Sequence, residues 1–177
     1  AIAVPVDGYD NPSEAVCVEM EDGRLLLNVR SESPRNRRLV TISPDGAWGW
    51  SSPEFHPDLL EPVCMAALIR HSFRAGGSPG RILFANPDNL ELEFANWGGA
   101  VRDRKRLSVK MSRDDGVTWP VTRVVEEGPA GYSDLAVLPS GEVLLFYERG
   151  MLEHMGDTRS LALARFDLNW LEGKDET

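Results

Sequence analysis

The segment Ser112-Arg113-Asp114-Asp115-Gly116-Val117-Thr118-Trp119 constrains the fold more than any other stretch of the chain. It reads S-x-D-x-G-x-x-W, a turn with a physical reason at each fixed position. The Asp114 carboxylate can accept hydrogen bonds from backbone N–H groups one and two residues on, as an Asx-turn does. Gly116 supplies a positive φ without a Cβ clash, and Trp119 returns an indole to cover the turn. A second, more worn copy lies at Ser43, Asp45 and Trp50, with Ala47 where the glycine is expected. A hairpin repeated in this way points to a repeated β architecture, and both copies are read as structural.

The rest of the chain agrees. Short β-like runs lie at 15–20, 24–30, 38–43, 64–70, 81–86, 107–112, 122–126, 133–138, 142–148 and 161–166. Between them stand turn signals such as Glu-Asp-Gly at 21–23, Pro-Asp-Gly at 44–46, Gly-Gly-Ser-Pro-Gly at 76–80 and Pro-Ser-Gly at 139–141. No amphipathic helix of useful length is visible; residues 169–171 read as one final helical turn. The runs group into three units beginning near Ala15, Cys64 and Ser133, and the first two each end in one of the hairpins. A unit of about four antiparallel strands is one blade of a β-propeller. Propellers close with about four to eight blades, so three blades leave open sheet edges. The expectation is an all-β chain, a single partial domain over 1–177 that forms the C-terminal half of a six-bladed β-propeller. The other half belongs to upstream sequence or to a second chain.

Composition narrows the partners. The net charge of −9 argues against nucleic acid. It leaves an anionic small ligand open, because a few converging arginines set the field of a local site. No apolar run is long enough to span a membrane, and residues 1–10 carry neither a signal-peptide pattern nor an initiator Met. Cys17 and Cys64 sit in apolar runs and read as buried free thiols, with a disulfide left open. The absence of C-x-x-C and the scatter of His56, His71 and His154 speak against a metal, and no cofactor is expected. Arg35, Arg37 and Arg38 read as a solvated basic loop.

Three further segments narrow the choice. They are Asn11-Pro12-Ser13-Glu14 leading to Leu27-Asn28-Val29-Arg30, then Arg104-Lys105-Arg106-Leu107, then Gly131-Tyr132-Ser133-Asp134-Leu135. Together they resemble the exo-α-sialidases (neuraminidases) of the retaining kind, and Tyr147-Glu148 fits that family's last blade. The resemblance implies Tyr132 as catalytic nucleophile and Glu14 as the carboxylate that takes its proton. It implies Arg30 and Arg104 as two of three arginines clamping a substrate carboxylate, and Glu148 as the acid that orients the remaining arginine. It implies a sialic-acid-containing glycan as partner and a secreted or periplasmic setting. The first clamp arginine and the aspartate used as general acid belong to blades that these residues do not contain. Two departures stand out: Ala47 breaks the first hairpin motif, and Met65 replaces an expected polar residue.

Two competing readings remain at this level. One is a non-catalytic propeller that binds sialic acid through its arginines. The other is a structural propeller, which requires Tyr132 and Glu14 to lie beyond hydrogen-bond reach of each other.

Overall fold

In a computed structural model of the chain, residues 4, 6–92, 102–150 and 158–174 are described; His154 and part of the 1–10 segment lie outside them. The first sheet has the order β1-β2-β3-β4, built from β1 (Ser13–Glu19), β2 (Leu25–Arg30), β3 (Arg37–Ser43) and β4 (Glu54–Leu60). Then come β5 (Ala67–Ser72), β6 (Arg81–Pro87), β7 (Lys105–Ser112) and the long β8 (Val121–Val137). They are followed by β9 (Val143–Arg149), β10 (Ser160–Phe166) and a single helical turn, α1 (Leu168–Leu171). All strand pairs are antiparallel.

The strand β8 is shared. Its first half pairs with β7, and its second half, from Ala130 to Val137, pairs with β9. The chain thus forms three consecutive meanders whose first strands lie side by side: β1 against β5, and β5 against β8. Burial follows this stacking. On β6, Ile82 and Phe84 face the first sheet and join Val18, Met20, Leu26 and Trp119. Leu83 and Ala85 face the other way and join Leu107, Val109, Leu135, Leu145 and Tyr147. A strand buried on both faces reads as an unbroken apolar run, as Ile82-Leu83-Phe84-Ala85 does.

Several expectations change. The strand β4 was not anticipated because Pro53 and Pro57 interrupt its pattern; it is the edge of its sheet, where proline is tolerated. The expected runs 122–126 and 133–138 are one continuous strand, which closes the second unit and opens the third; the third unit has three strands, β8 to β10, among the described residues. Cys64 is buried but Cys17 is exposed on β1; both are free. Arg38, read as part of a solvated loop, is fully buried. The third meander packs one face inward and leaves Phe146, Leu161 and Leu163 exposed on the other. No described helix is long and apolar enough to cross a membrane.

Candidate active site

Two irregularities in strand pairing aim the central side chains. On β1, Ser13 pairs with Arg30 and Val16 with Asn28, so two residues, Glu14 and Ala15, oppose Val29 alone. Glu14 takes a positive φ of 41° within this bulge. Such a bulge re-aims a side chain that regular pairing would hold elsewhere, and it turns the Glu14 carboxylate to the end of β2. On β8, Ala130 pairs with Arg149 and Ser133 with Tyr147, so Gly131 and Tyr132 together oppose Glu148. The backbone there lies so close to the neighbouring strand that a Cβ on Gly131 would come within 2.3 Å of Glu148 Oε2. That oxygen accepts a hydrogen bond from the Tyr132 N–H at 2.9 Å.

The two bulges bring distant residues into one group. The Tyr132 hydroxyl donates to Glu14 Oε1. Arg30 Nη1 donates to Glu14 Oε2 at 2.5 Å and to the Tyr132 hydroxyl oxygen at 3.2 Å. Arg104, which directly precedes β7, places its Cζ 5.4 Å from the centre of the Tyr132 ring. Its Nη2 donates to the Val63 carbonyl at 2.6 Å. Within the basic run 102–106, Arg104 alone makes this approach to Tyr132; Arg102 pairs with Glu32 and Arg106 with Glu127. Arg149, next to Glu148 in the chain, pairs with Glu126.

The charges are arranged to keep the acid ionised and the phenol neutral at rest. Burial raises the Glu14 carboxyl, but hydrogen bonds from Tyr132 and Arg30, with the charges of Arg30 and Arg104, more than offset it. The net effect holds the group below its ordinary value of 4.5. Burial, followed by the hydrogen bond to Glu14 and its charge, raises the Tyr132 phenol above 10.0 against the opposing pull of the two arginines. For Arg30, desolvation is outweighed by Glu14, so its guanidinium is held more firmly protonated. The phenol and carboxylate form a coupled pair. A proton passing from Tyr132 to Glu14 neutralises the very charge that holds the phenol's proton in place.

Sequence comparison adds to this geometry. A family model, the BNR repeat-like domain, matches residues 6–145. The chain belongs to the BNR repeat-like domain family. Among individual proteins, the sialidase of Micromonospora viridifaciens is 34% identical over 158 residues, 88% of this chain and 22% of that protein. The Hadza microbial sialidase Hz136 superposes with a TM-score of 0.68 at 30% identity, covering 90% of this chain and 28% of its own. The intramolecular trans-sialidase from Ruminococcus gnavus, solved with oseltamivir carboxylate, gives a TM-score of 0.73 at 23% identity over 97% of this chain and 35% of its own. At that identity the likeness is one of fold. The expected resemblance to sialidases and the propeller-type architecture are borne out, in a chain that spans less than a quarter of the first relative's length.

The two hairpins of this BNR repeat-like chain lie at the β3–β4 and β7–β8 turns, away from the Tyr132 group. In the second, Ser112 Oγ donates to Asp114 Oδ1 at 2.7 Å and accepts from the Gly116 N–H at 2.8 Å. Asp114 reaches farther than an Asx-turn: its carboxylate takes the Thr118 N–H at 2.9 Å and the Thr118 hydroxyl at 2.7 Å. In the worn copy, Asp45 Oδ1 accepts from the N–H groups of Ala47 and Trp48, both at 2.8 Å. Ala47 is accommodated because Gly46, one residue earlier, takes the positive φ of 74°. Trp119 is buried between the first two sheets, whereas Trp50 is only half-buried. His56 of β4 ties the sheets together, with Nε2 2.9 Å from the Gly116 carbonyl.

Sequence reasoning missed three participants. Glu32 bridges Arg30 at 3.3 Å and Arg102 at 3.1 Å. Arg38 and Glu61 form an ion pair with no exposure on either side chain. For Glu32, its position two residues after Arg30, on the same side of an extended chain, was an available signal. The Arg38–Glu61 pair joins residues 23 apart and had no local signal.

Proposed function

We propose that this chain carries part of the active site of a retaining exo-α-sialidase, residues 1–177 forming one partial propeller domain. The observation that supports it most is the hydrogen-bonded set Tyr132–Glu14–Arg30 beneath Arg104. A sialic acid bears a carboxylate on its anomeric carbon, which repels an anionic Asp or Glu nucleophile. A tyrosine avoids that repulsion, and sialidases are exceptions to the two-carboxylate scheme for this reason. Tyr132 attacks the anomeric carbon as its proton passes to Glu14 and the glycosidic bond breaks, the aglycone leaving with a proton from the general acid; water then hydrolyses the tyrosyl-glycosyl intermediate, Tyr132 taking its proton back from Glu14, with net retention.

Arg30 and Arg104 hold the substrate carboxylate. Their planar guanidinium groups match it two-pronged, which a lysine cannot do. Replacing either should cost about 2–4 kcal/mol of binding, taking a desolvated charge pair as the guide. Glu148 spends one oxygen on the Tyr132 N–H and orients a third arginine with the other. That arginine and an aspartate acting as general acid would come from further blades, of the same polypeptide or of a second chain. Those blades would also cover the apolar face at Phe146, Leu161 and Leu163.

Hydrolysis of an aryl sialoside by the protein that carries this chain with its remaining blades tests the proposal. Turnover lost in Tyr132→Phe and Glu14→Gln is expected. Absent turnover in the unaltered protein, or turnover indifferent to both changes, refutes it. Tight binding of the sugar without turnover would identify a sialic-acid-binding propeller instead.

A further inference from the structure

Below the Tyr132 group lies a charged pair that the chemistry above does not use. Arg38 and Glu61 are wholly buried and bonded through Arg38 Nη1 and Glu61 Oε2. Arg38 Nε also donates to Asn28 Oδ1 at 2.6 Å, and Nη1 to the Cys64 carbonyl at 3.1 Å. Taking both charges out of water is costly, and such a pair is weak support for stability, since apolar residues of similar size often replace one without loss. Its presence calls for another role.

The neighbouring backbone indicates one. Val63, a β-branched residue, has a φ of +56° and no exposure. The left-handed region is unfavourable for a β-branched side chain, because the Cβ substituents crowd the backbone there. This conformation turns the Val63 carbonyl toward Arg104 Nη2, 2.6 Å away. The Val63 carbonyl and the Cys64 N–H belong to one planar peptide unit and point in opposite directions. Glu61 Oε1 grips the Cys64 N–H at 2.7 Å. Glu61 is anchored in turn: its N–H donates to the Asn36 carbonyl at 3.0 Å, and its own carbonyl accepts from Asn36 Nδ2 at 2.6 Å. One rigid plate thus has Glu61 on one edge and Arg104 on the other.

We propose that Glu61, its buried charge balanced by Arg38, is a positioning residue, which holds the 63–64 peptide in its strained orientation so that the Val63 carbonyl fixes the Arg104 guanidinium over Tyr132. The proposal deepens the sialic acid reading and rests on it for the role of Arg104, but the placement of Arg104 can be read independently. Arg38 offsets the buried charge of Glu61, Glu61 holds the N–H edge, and the carbonyl edge stops the guanidinium from rotating. A carboxylate bound by Arg104 would then meet a group whose orientation is already set.

The experiment compares two double variants. Arg38→Met with Glu61→Leu removes both charges and the acceptor for Cys64 N–H. Arg38→Met with Glu61→Gln also removes both charges but restores a neutral acceptor. The readouts are the side-chain ¹⁵N spectrum of Arg104, assigned by its loss in Arg104→Lys, and the Kd for free N-acetylneuraminic acid, with thermal unfolding as the check of folding.

In the unaltered protein the two Arg104 Nη signals are expected to be resolved, because rotation is blocked. In the Met/Leu variant they average and the Kd rises about tenfold, as loss of one charged hydrogen bond implies; in the Met/Gln variant both effects are substantially reversed. Averaged signals in the unaltered protein overturn the proposal without any variant. So do resolved signals in a folded Met/Leu variant, and so does identical behaviour of the two doubles, which marks the pair as merely structural. If the Arg104 signals respond as expected while the unaltered protein does not bind the sugar, the positioning stands and the sialic acid reading fails.

Discussion

Replacing Gly131 by alanine tests the geometry that aims Tyr132. The added Cβ would sit 2.3 Å from Glu148 Oε2 but 3.4 Å from Glu148 Cβ and Cδ, so the conflict is with the carboxylate oxygen alone. Relieving it requires that oxygen to retreat by about 1 Å, judged against ordinary van der Waals contact. The oxygen is the acceptor for Tyr132 N–H at 2.9 Å, and a retreat of that size opens the bond. A hydrogen bond to a charged group is worth about 1.5–3 kcal/mol. Glu148 and Tyr132 are both half-buried, so solvent screening brings the expected loss to about 1–2 kcal/mol. In a chain of this size that lowers Tm by about 2–8 °C. Under the proposed chemistry, a shift of the Tyr132 phenol by about 1 Å once that bond opens would also cost turnover on the order of 10²-fold. The decisive measurement is a double-mutant cycle by chemical denaturation. The whole cost is assigned to Glu148, so Gly131→Ala should be nearly neutral in a Glu148→Ala background. An equal cost in both backgrounds would show that the glycine is needed for another reason and refute the reasoning.

Three further outcomes are expected. The folded-state Glu14 carboxyl is held below its ordinary value of 4.5, so its stabilisation is present above that pH and is lost as pH falls through the lowered value. Tm measured against pH should therefore drop less steeply there in Glu14→Gln than in the parent. Trp119→Ala should cost about 3–5 kcal/mol in unfolding free energy, while Trp48→Ala, on the worn hairpin and 66% exposed, should stay within about 0.5 kcal/mol. Equal losses would show that burial between sheets is not what the second hairpin contributes. Cys17 is exposed and Cys64 is buried, with burial pushing the Cys64 thiol up to about 12. A thiol reagent at neutral pH should modify Cys17 alone in the folded chain and Cys64 only after denaturation.

The two hairpins, the short apolar runs and their turn residues were legible because each is a local device: a side chain bonded to backbone a few positions on, or an alternation of buried faces. They determined an all-β chain of stacked meanders. The Gly-Tyr-Ser-Asp-Leu segment and its companions marked Tyr132, Glu14, Arg30 and Arg104 as a set. Other features were decided only in three dimensions. Arg38 lies among charged neighbours and reads as solvated, yet it is buried because Glu61, 23 residues away, comes to meet it. Cys17 sits in an apolar run but faces outward, since a strand's two faces differ only by which neighbouring sheet covers them. The bulges at Glu14 and Tyr132 depend on pairing register between strands, a relation that no single strand encodes. The carbonyl that holds Arg104 comes from a strained valine, a conformation that local preference opposes and that the surrounding hydrogen bonds impose.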